Sequence, residues 1–206
     1  DCGTGNGQAA GALAPHFGTV WATDLSLAQL AQAPALPNVQ YHAWPAERTE
    51  IPAQTIDLIT VAQAAHWFDI PAFAAEVQRV ARPGARLAVW GYGLLQLPPA
   101  AQPILEQFYT HTIGPYWDAE RRHIDAAYAT LAFPFAEDPA PGFQIDYPKV
   151  NLEWLGGYLA TWSVLKLHRD AGHPDPLPAL LSELEAVLGT APYAAHFPVF
   201  MRLFRV

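Results

Sequence analysis

At 206 residues, with 51% hydrophobic and 15% charged side chains, the chain suits one domain with a sizeable core and is not a disordered segment. Its formal net charge of −8, without any lysine- or arginine-rich run, argues against a nucleic-acid partner. One cysteine, Cys2, excludes an internal disulfide and a multi-cysteine zinc site, and no stretch reads as a signal peptide or a membrane span. The expectation is therefore a cytoplasmic protein with Cys2 as a small buried residue.

The chain opens on Asp1-Cys2-Gly3-Thr4-Gly5-Asn6-Gly7-Gln8, which puts three glycines in five positions behind an acid. Glycine is needed where backbone turns with unusual dihedrals or lies against a ligand with no Cβ between. A glycine loop leading from strand to helix aims N–H groups at a small anionic or polar group. In a doubly wound fold a strand precedes such a loop, and Asp1 would be its last residue. That strand, and a helix before it, are expected to lie outside this sequence.

Residues 8–16 read as the first helix and 19–24 as the next strand, an apolar run ending in Asp24. Ser26 is placed to cap a helix over 27–33, which Pro34 ends. Strands follow at 39–44 and 56–61, the second an unbroken apolar run of the kind buried on both faces of a parallel sheet. A helix at 73–81, a Pro83-Gly84 turn and a strand at 87–90 complete a strand–helix alternation that predicts α/β architecture with right-handed crossovers. Beyond it the pattern predicts helices at 101–113 and 117–130, a proline-rich loop at 134–142 and a strand at 143–147. A long helix at 152–168, a helix at 179–188 and a last strand at 199–206 follow. The organisation expected is a single domain over 1–206, with the helical stretch 98–133 as a lid insert.

The acid followed by G-x-G-x-G resembles the first motif of the class I S-adenosylmethionine (SAM)-dependent methyltransferases. Dinucleotide folds carry G-x-G-x-x-G/A instead, and Gln8 departs from that pattern. The run Val61-Ala62-Gln63-Ala64-Ala65-His66-Trp67-Phe68-Asp69 looks like the segment after the fourth strand in the methyltransferase type-11 group, in particular its trans-aconitate and farnesoic-acid-like branch. Arg79-Val80-Ala81-Arg82-Pro83-Gly84 before Leu87-Ala88-Val89-Trp90 matches the same branch, as do Pro115-Tyr116-Trp117, Glu120-Arg121-Arg122, Phe133-Pro134-Phe135 and Ala160-Thr161-Trp162-Ser163. The resemblance runs over nearly the whole chain. It implies a three-layer Rossmann-like sheet, mostly parallel with an antiparallel last strand, and SAM as cofactor with S-adenosylhomocysteine as product.

Open parallel sheets bind ligands beyond the carboxyl ends of their strands. Asp1, Gly3, Thr4, Gly5 and Gly7 would then hold the methionine end of SAM. Asp24 follows Gly3 by 21 residues, where a carboxylate accepts hydrogen bonds from a ribose diol. Leu25 would lie against the adenine and Gln63 beside the cofactor. By resemblance, the Ala46–Glu47 turn meets the adenine edge, and Glu47 reads equally as a solvated loop acid. His66 is a candidate proton acceptor or a residue that orders its loop. Trp67, Tyr92, Tyr116, Trp117 and Trp162 are candidates for an acceptor pocket, although aromatic residues are also ordinary core. Arg121, with Arg122, forms either a carboxylate fork or an exposed helix face.

The reaction expected is in-line displacement of a methyl group onto a small-molecule carboxylate or hydroxyl, with no metal. Neither nucleic acid nor membrane is expected as a partner, and the protein would be a monomer or homodimer. An NAD-type oxidoreductase and a non-catalytic protein that keeps the fold are the alternatives.

Overall fold

Asp1 and Cys2 act as a two-residue strand in a computed structural model that describes Asp1–Val206. Asp1 N–H donates to Trp21 O (2.8 Å) and Asp1 O accepts from Thr23 N–H (2.9 Å). Cys2 N–H donates to Thr60 O at 2.9 Å, so these two residues link two otherwise separate parallel pairs. One pair is β1 (Val20–Thr23) with β2 (Val39–His42), and the other is β3 (Ile56–Ala62) with β4 (Ala81–Tyr92). Cys2, expected as a small buried residue, is half-buried, and burial pushes its thiol pKa up.

The chain divides into two units. The first holds Asp1–Tyr92, Arg122–Gly142 and Val199–Val206, and the second holds Gly93–Arg121 and Phe143–Pro198. In the first unit, residues 199–205 of β7 (Tyr193–Arg205) run antiparallel to β4, and β5 (Ala136–Asp138) runs antiparallel to β7. The sheet is thus mixed and open, with the antiparallel last strand that the family resemblance implies. Apolar residues from β3, β4 and α3 (Ile70–Val80) form its main core, among them Val61, Phe73, Leu87 and Val89.

Helix α3 shows how local chemistry sets an element. Asp69 Oδ1 accepts from Ala72 N–H at 3.1 Å as its N-cap, and Pro lies in the first turn. The apolar positions 70, 73, 74, 77 and 80 repeat at helical spacing and are buried. Glu76 is buried on the same helix but fully paired. Its Oε1 accepts from Thr49 N–H (2.7 Å) and Thr49 Oγ1–H (2.5 Å), and Arg79 grips both oxygens at 2.7 and 2.8 Å. Burial pushes the Glu76 carboxyl pKa up, but the bonds from Arg79 and Thr49 together outweigh it and the net shift is downward. A depressed carboxyl contributes stability above its unfolded pKa and loses it as pH falls through the folded one. Glu76→Gln should therefore cost about 1–2 kcal/mol near pH 7. Thermal melts should show that deficit shrinking as the pH drops below the ordinary glutamate value of 4.5.

Helix α1 (Gln8–Leu13) ends in a 3-10 turn at Ala14–His16, and α2 spans only Leu27–Leu30, capped as expected by Ser26 Oγ (3.3 Å). The Pro83-Gly84 turn is looped out of a ladder whose register jumps from Ile56↔Ala81 to Leu58↔Arg86. The expected helix at 117–130 is not formed. Only α5 (Arg121–Asp125) is helical, and Ala127 and Tyr128 take left-handed φ of 50° and 59°. The proline-rich loop at 134–142 contains β5, which Arg202–Glu137 (2.7 Å) and Arg205–Asp138 (3.1 Å) ion pairs tie to β7.

The second unit contains β6 (Phe143–Val150), paired with β7, and the helices α4 (Gln102–Gln107), α6 (Leu152–Ala160), α7 (Ser163–Asp170) and α8 (Leu177–Leu188). Leu105, Leu155, Leu159, Leu165 and Leu184 are fully buried at its centre. The expected helix at 152–168 is two helices. Thr161 C-caps α6, and its hydroxyl donates to Tyr158 O at 2.6 Å, so the chain breaks before α7. The expected helix at 101–113 continues from α4 as a π-turn over Phe108–Thr112.

Candidate active site

Three left-handed glycines shape the loop, with φ of 65° at Gly3, 56° at Gly5 and 82° at Gly7. Other residues pay for that backbone. A Cβ on Gly3 would stand 2.5 Å from Ala64 Cβ, and one on Gly7 would stand 2.7 Å from Tyr41 Oη. The loop is therefore pressed against the β3 tip on one side and against β2 on the other.

Two carboxylates hold it. Asp1 accepts from Thr4 Oγ1–H (2.5 Å) and Thr60 Oγ1–H (2.9 Å), so it is an internal brace. Asp24 Oδ2 accepts the Gly5 N–H at 2.8 Å, and Oδ1 accepts the Ser26 N–H at 2.8 Å. Each of these oxygens keeps a second lone pair. Leu25, next in the chain, is 71% exposed. A large apolar side chain held in solvent beside a strand-end acid can pack on a flat ring.

Ala46 is buried in the core, so only its backbone is offered. Glu47 Oε1 accepts from Asp69 N–H at 3.0 Å, which ties its loop to the start of α3. Gln63 has a φ of 55°, and its side chain clips onto β4, accepting from Tyr92 N–H at 2.8 Å and donating to Tyr92 O at 3.4 Å. The strained backbone and the clip fix the β3 and β4 tips together. His66 lies on the short turn Ala65–Trp67 with Nδ1 3.0 Å from Tyr128 Oη. Trp67 is exposed and its ring stands 4.7 Å from the imidazole.

Tyr116, Trp117, Arg121 and Trp162 belong to the second unit. Arg121 Nε donates to Tyr109 Oη at 2.7 Å, and its guanidinium lies 4.7 Å from the Trp117 ring. Trp162 stands 5.6 Å from Trp117, so these residues form one aromatic–cation group. Tyr116 is turned elsewhere, edge-on to His168 at 4.9 Å. Burial, and then the neighbouring His173, push the His168 imidazole pKa down. Arg122 falls in the first unit.

Sequence reasoning missed Tyr128 and Tyr109, the partners of His66 and Arg121. Each sat inside an expected helix as one aromatic among several, and no spacing singled it out.

A left-handed glycine loop bonded to a strand-end carboxylate, at the head of parallel β/α units, defines a Rossmann-like protein. A family model described as a methyltransferase domain matches residues 1–89. A Dictyostelium discoideum protein named as a methyltransferase is 35% identical over 212 residues, covering 98% of this chain and 80% of that one. A solved Anaeromyxobacter dehalogenans structure, named as a type II methyltransferase, is 39% identical with a TM-score of 0.91, covering 100% of this chain and 88% of the other. The YcgJ protein of Bacillus subtilis shares the fold, at 17% identity and a TM-score of 0.56, covering 100% of this chain and 89% of its own. The chain belongs to the class I SAM-dependent methyltransferases, and it is a transferase. No helix is long and apolar enough to cross a membrane.

Proposed function

We propose that the protein binds SAM on the glycine loop and Asp24 and transfers its methyl group to a small-molecule carboxylate or hydroxyl. The observation that carries the reading is the Gly5 N–H to Asp24 Oδ2 bond of 2.8 Å, which joins the two halves of such a site in one rigid piece. The cradle fits the cofactor. Gly3 and Gly7 leave bare backbone, Asp24 has lone pairs for a diol, and Leu25 offers an apolar face. When bound, SAM supplies an electrophilic methyl carbon on a sulfonium.

The protein's own task is then alignment and exclusion of water. The loop and Asp24 orient the adenosyl end. The Gln63–Tyr92 clip keeps the strand tips from parting. A carboxylate acceptor needs no base. His66 orders its turn through Tyr128. In the tautomer with Nδ1–H donating to Tyr128 Oη, Nε2 is the acceptor nitrogen of the ring.

Calorimetry should give saturable binding of S-adenosylhomocysteine and none of NADH, and labelled SAM should methylate members of a panel of small acids and phenols. Saturable NADH binding without S-adenosylhomocysteine binding would make the protein an oxidoreductase. Cofactor binding without any labelled product would leave a binding protein only.

His66→Gln should lower kcat/KM about tenfold for carboxylate and hydroxyl acceptors alike, the worth of one ordering hydrogen bond, with homocysteine-product affinity unchanged. Initial rates with both acceptor classes check this. A loss above about 100-fold confined to hydroxyl acceptors would assign proton transfer to the ring.

A further inference from the structure

Three alternate residues of β7 converge on one turn of the chain. Phe200, Arg202 and Phe204 share a face of the strand, because side chains two apart point the same way. Phe200 stands edge-on to the Tyr128 ring at 5.1 Å, and Phe204 lies 5.0 Å from the Phe133 ring. Between them the Arg202 guanidinium donates four hydrogen bonds. Nη1 reaches Tyr128 O and Leu131 O, both at 2.7 Å. Nε and Nη2 reach the two carboxylate oxygens of Glu137 at 2.9 and 2.7 Å. Those bonds from Arg202 hold the Glu137 carboxyl below its ordinary pKa, so the grip persists at neutral pH.

The grip accounts for a backbone that local sequence does not favour. Tyr128 has a left-handed φ of 59°, next to Ala127 at 50°. Side chains rarely adopt that region, and it persists only where the surroundings over-determine it, commonly beside functional sites. The Tyr128 side chain is fully buried, and Phe200 is itself wedged in place: a Cβ on Gly91 would meet its ring at 2.6 Å. The phenol is therefore fixed in direction as well as in place. Its Oη lies 3.0 Å from His66 Nδ1 on the turn Ala65–Trp67. Packing alone would not need that hydroxyl, since phenylalanine fills the same space without a buried polar atom to satisfy. What the hydroxyl adds is a fixed partner for one nitrogen of an imidazole. A neutral imidazole carries its proton on either nitrogen, and the hydrogen bond at one decides the role of the other.

We propose that Tyr128, clamped by Arg202 and Glu137, is a positioning residue that fixes the tautomer and direction of the His66 imidazole. Its share in methyl transfer rests on the placing of His66 at the candidate site. Its control of the ring does not.

The test is nitrogen NMR of isotope-labelled histidine in the full chain, above the ordinary imidazole pKa of about 6.5. His66 signals are identified by their absence from His66→Gln. Wild type should show one proton-bearing and one bare ring nitrogen at well-separated shifts, and in Tyr128→Phe the two should move toward a common average. Arg202→Lys cannot hold two carbonyls and both carboxylate oxygens at once, so it should move them the same way but less. Tyr128→Phe should also lower kcat about tenfold with S-adenosylhomocysteine affinity unchanged, and adding His66→Gln should cost little more than either change alone. Ring nitrogens that stay separated in Tyr128→Phe, or that are already averaged in wild type, would overturn the assignment. An unchanged kcat in Tyr128→Phe would remove the residue from the reaction. Should the nitrogens behave as expected while wild type yields no labelled product with any acceptor, Tyr128 keeps its role and the methyl-transfer reading falls.

Discussion

Asp24→Ala should weaken S-adenosylhomocysteine binding by about 3 kcal/mol, more than a hundredfold in Kd. Two losses combine. The proposed ribose hydroxyls lose a charged acceptor, which alone is worth about 1.5–3 kcal/mol. The Gly5 and Ser26 N–H groups also lose the oxygens they reach at 2.8 Å, so the loop is no longer held in its binding shape. Asp24→Asn separates the two effects. Its amide oxygen can serve one N–H but lacks the second acceptor and the charge, so it should fall between wild type and alanine. Titration calorimetry measures all three, and wild-type affinity in Asp24→Ala would remove this carboxylate from the site.

Gly3→Ala should destabilise the fold by about 2–4 kcal/mol. A left-handed φ of 65° costs a side chain about 1 kcal/mol. The new Cβ would sit 2.5 Å from Ala64 Cβ, and relieving such overlap in a packed region costs about 1–3 kcal/mol more. Gly84→Ala is the control. It has a φ of 85° with nothing within 4 Å of an added Cβ, so only the backbone cost of about 1 kcal/mol should appear. Adding Ala64→Gly to Gly3→Ala should recover the steric part. Denaturant melts of the four proteins resolve the difference, and equal losses at Gly3 and Gly84 would mean that the loop is not pressed on the β3 tip.

The parts of the site legible in the sequence were those written in local chemistry. Positive φ favours glycine, so a cluster such as Gly3, Gly5 and Gly7 announces its own geometry. A short apolar strand that ends in an acid announces Asp24, and a serine two residues on announces the α2 cap. Illegible parts depend on pairing across the chain. Ala127 and Tyr128 break an apparent helix with left-handed backbone that neither residue type favours, and tertiary packing sustains it through the Arg202 guanidinium, 2.7 Å from both Tyr128 O and Leu131 O. The extension of β7 back to Tyr193 passes through Pro198, which reads locally as a strand breaker. That Asp1 and Cys2 bridge two strand pairs is invisible in a residue pattern, because the partners lie 20 to 59 positions away.

The acceptor side was legible only as composition. Tryptophan and tyrosine counts suggest a pocket, yet Tyr116 faces a histidine pair while Trp117 and Trp162 gather around Arg121 and Tyr109. Side-chain direction, not residue type, decides that division.

A crystal structure of the chain with S-adenosylhomocysteine tests the central claim most directly. The account predicts both ribose hydroxyls within about 3 Å of the Asp24 carboxylate, with the amino-acid end against the backbone of Gly3 to Gly7. An adenosyl group bound away from Asp24, with the glycine loop untouched, would contradict it.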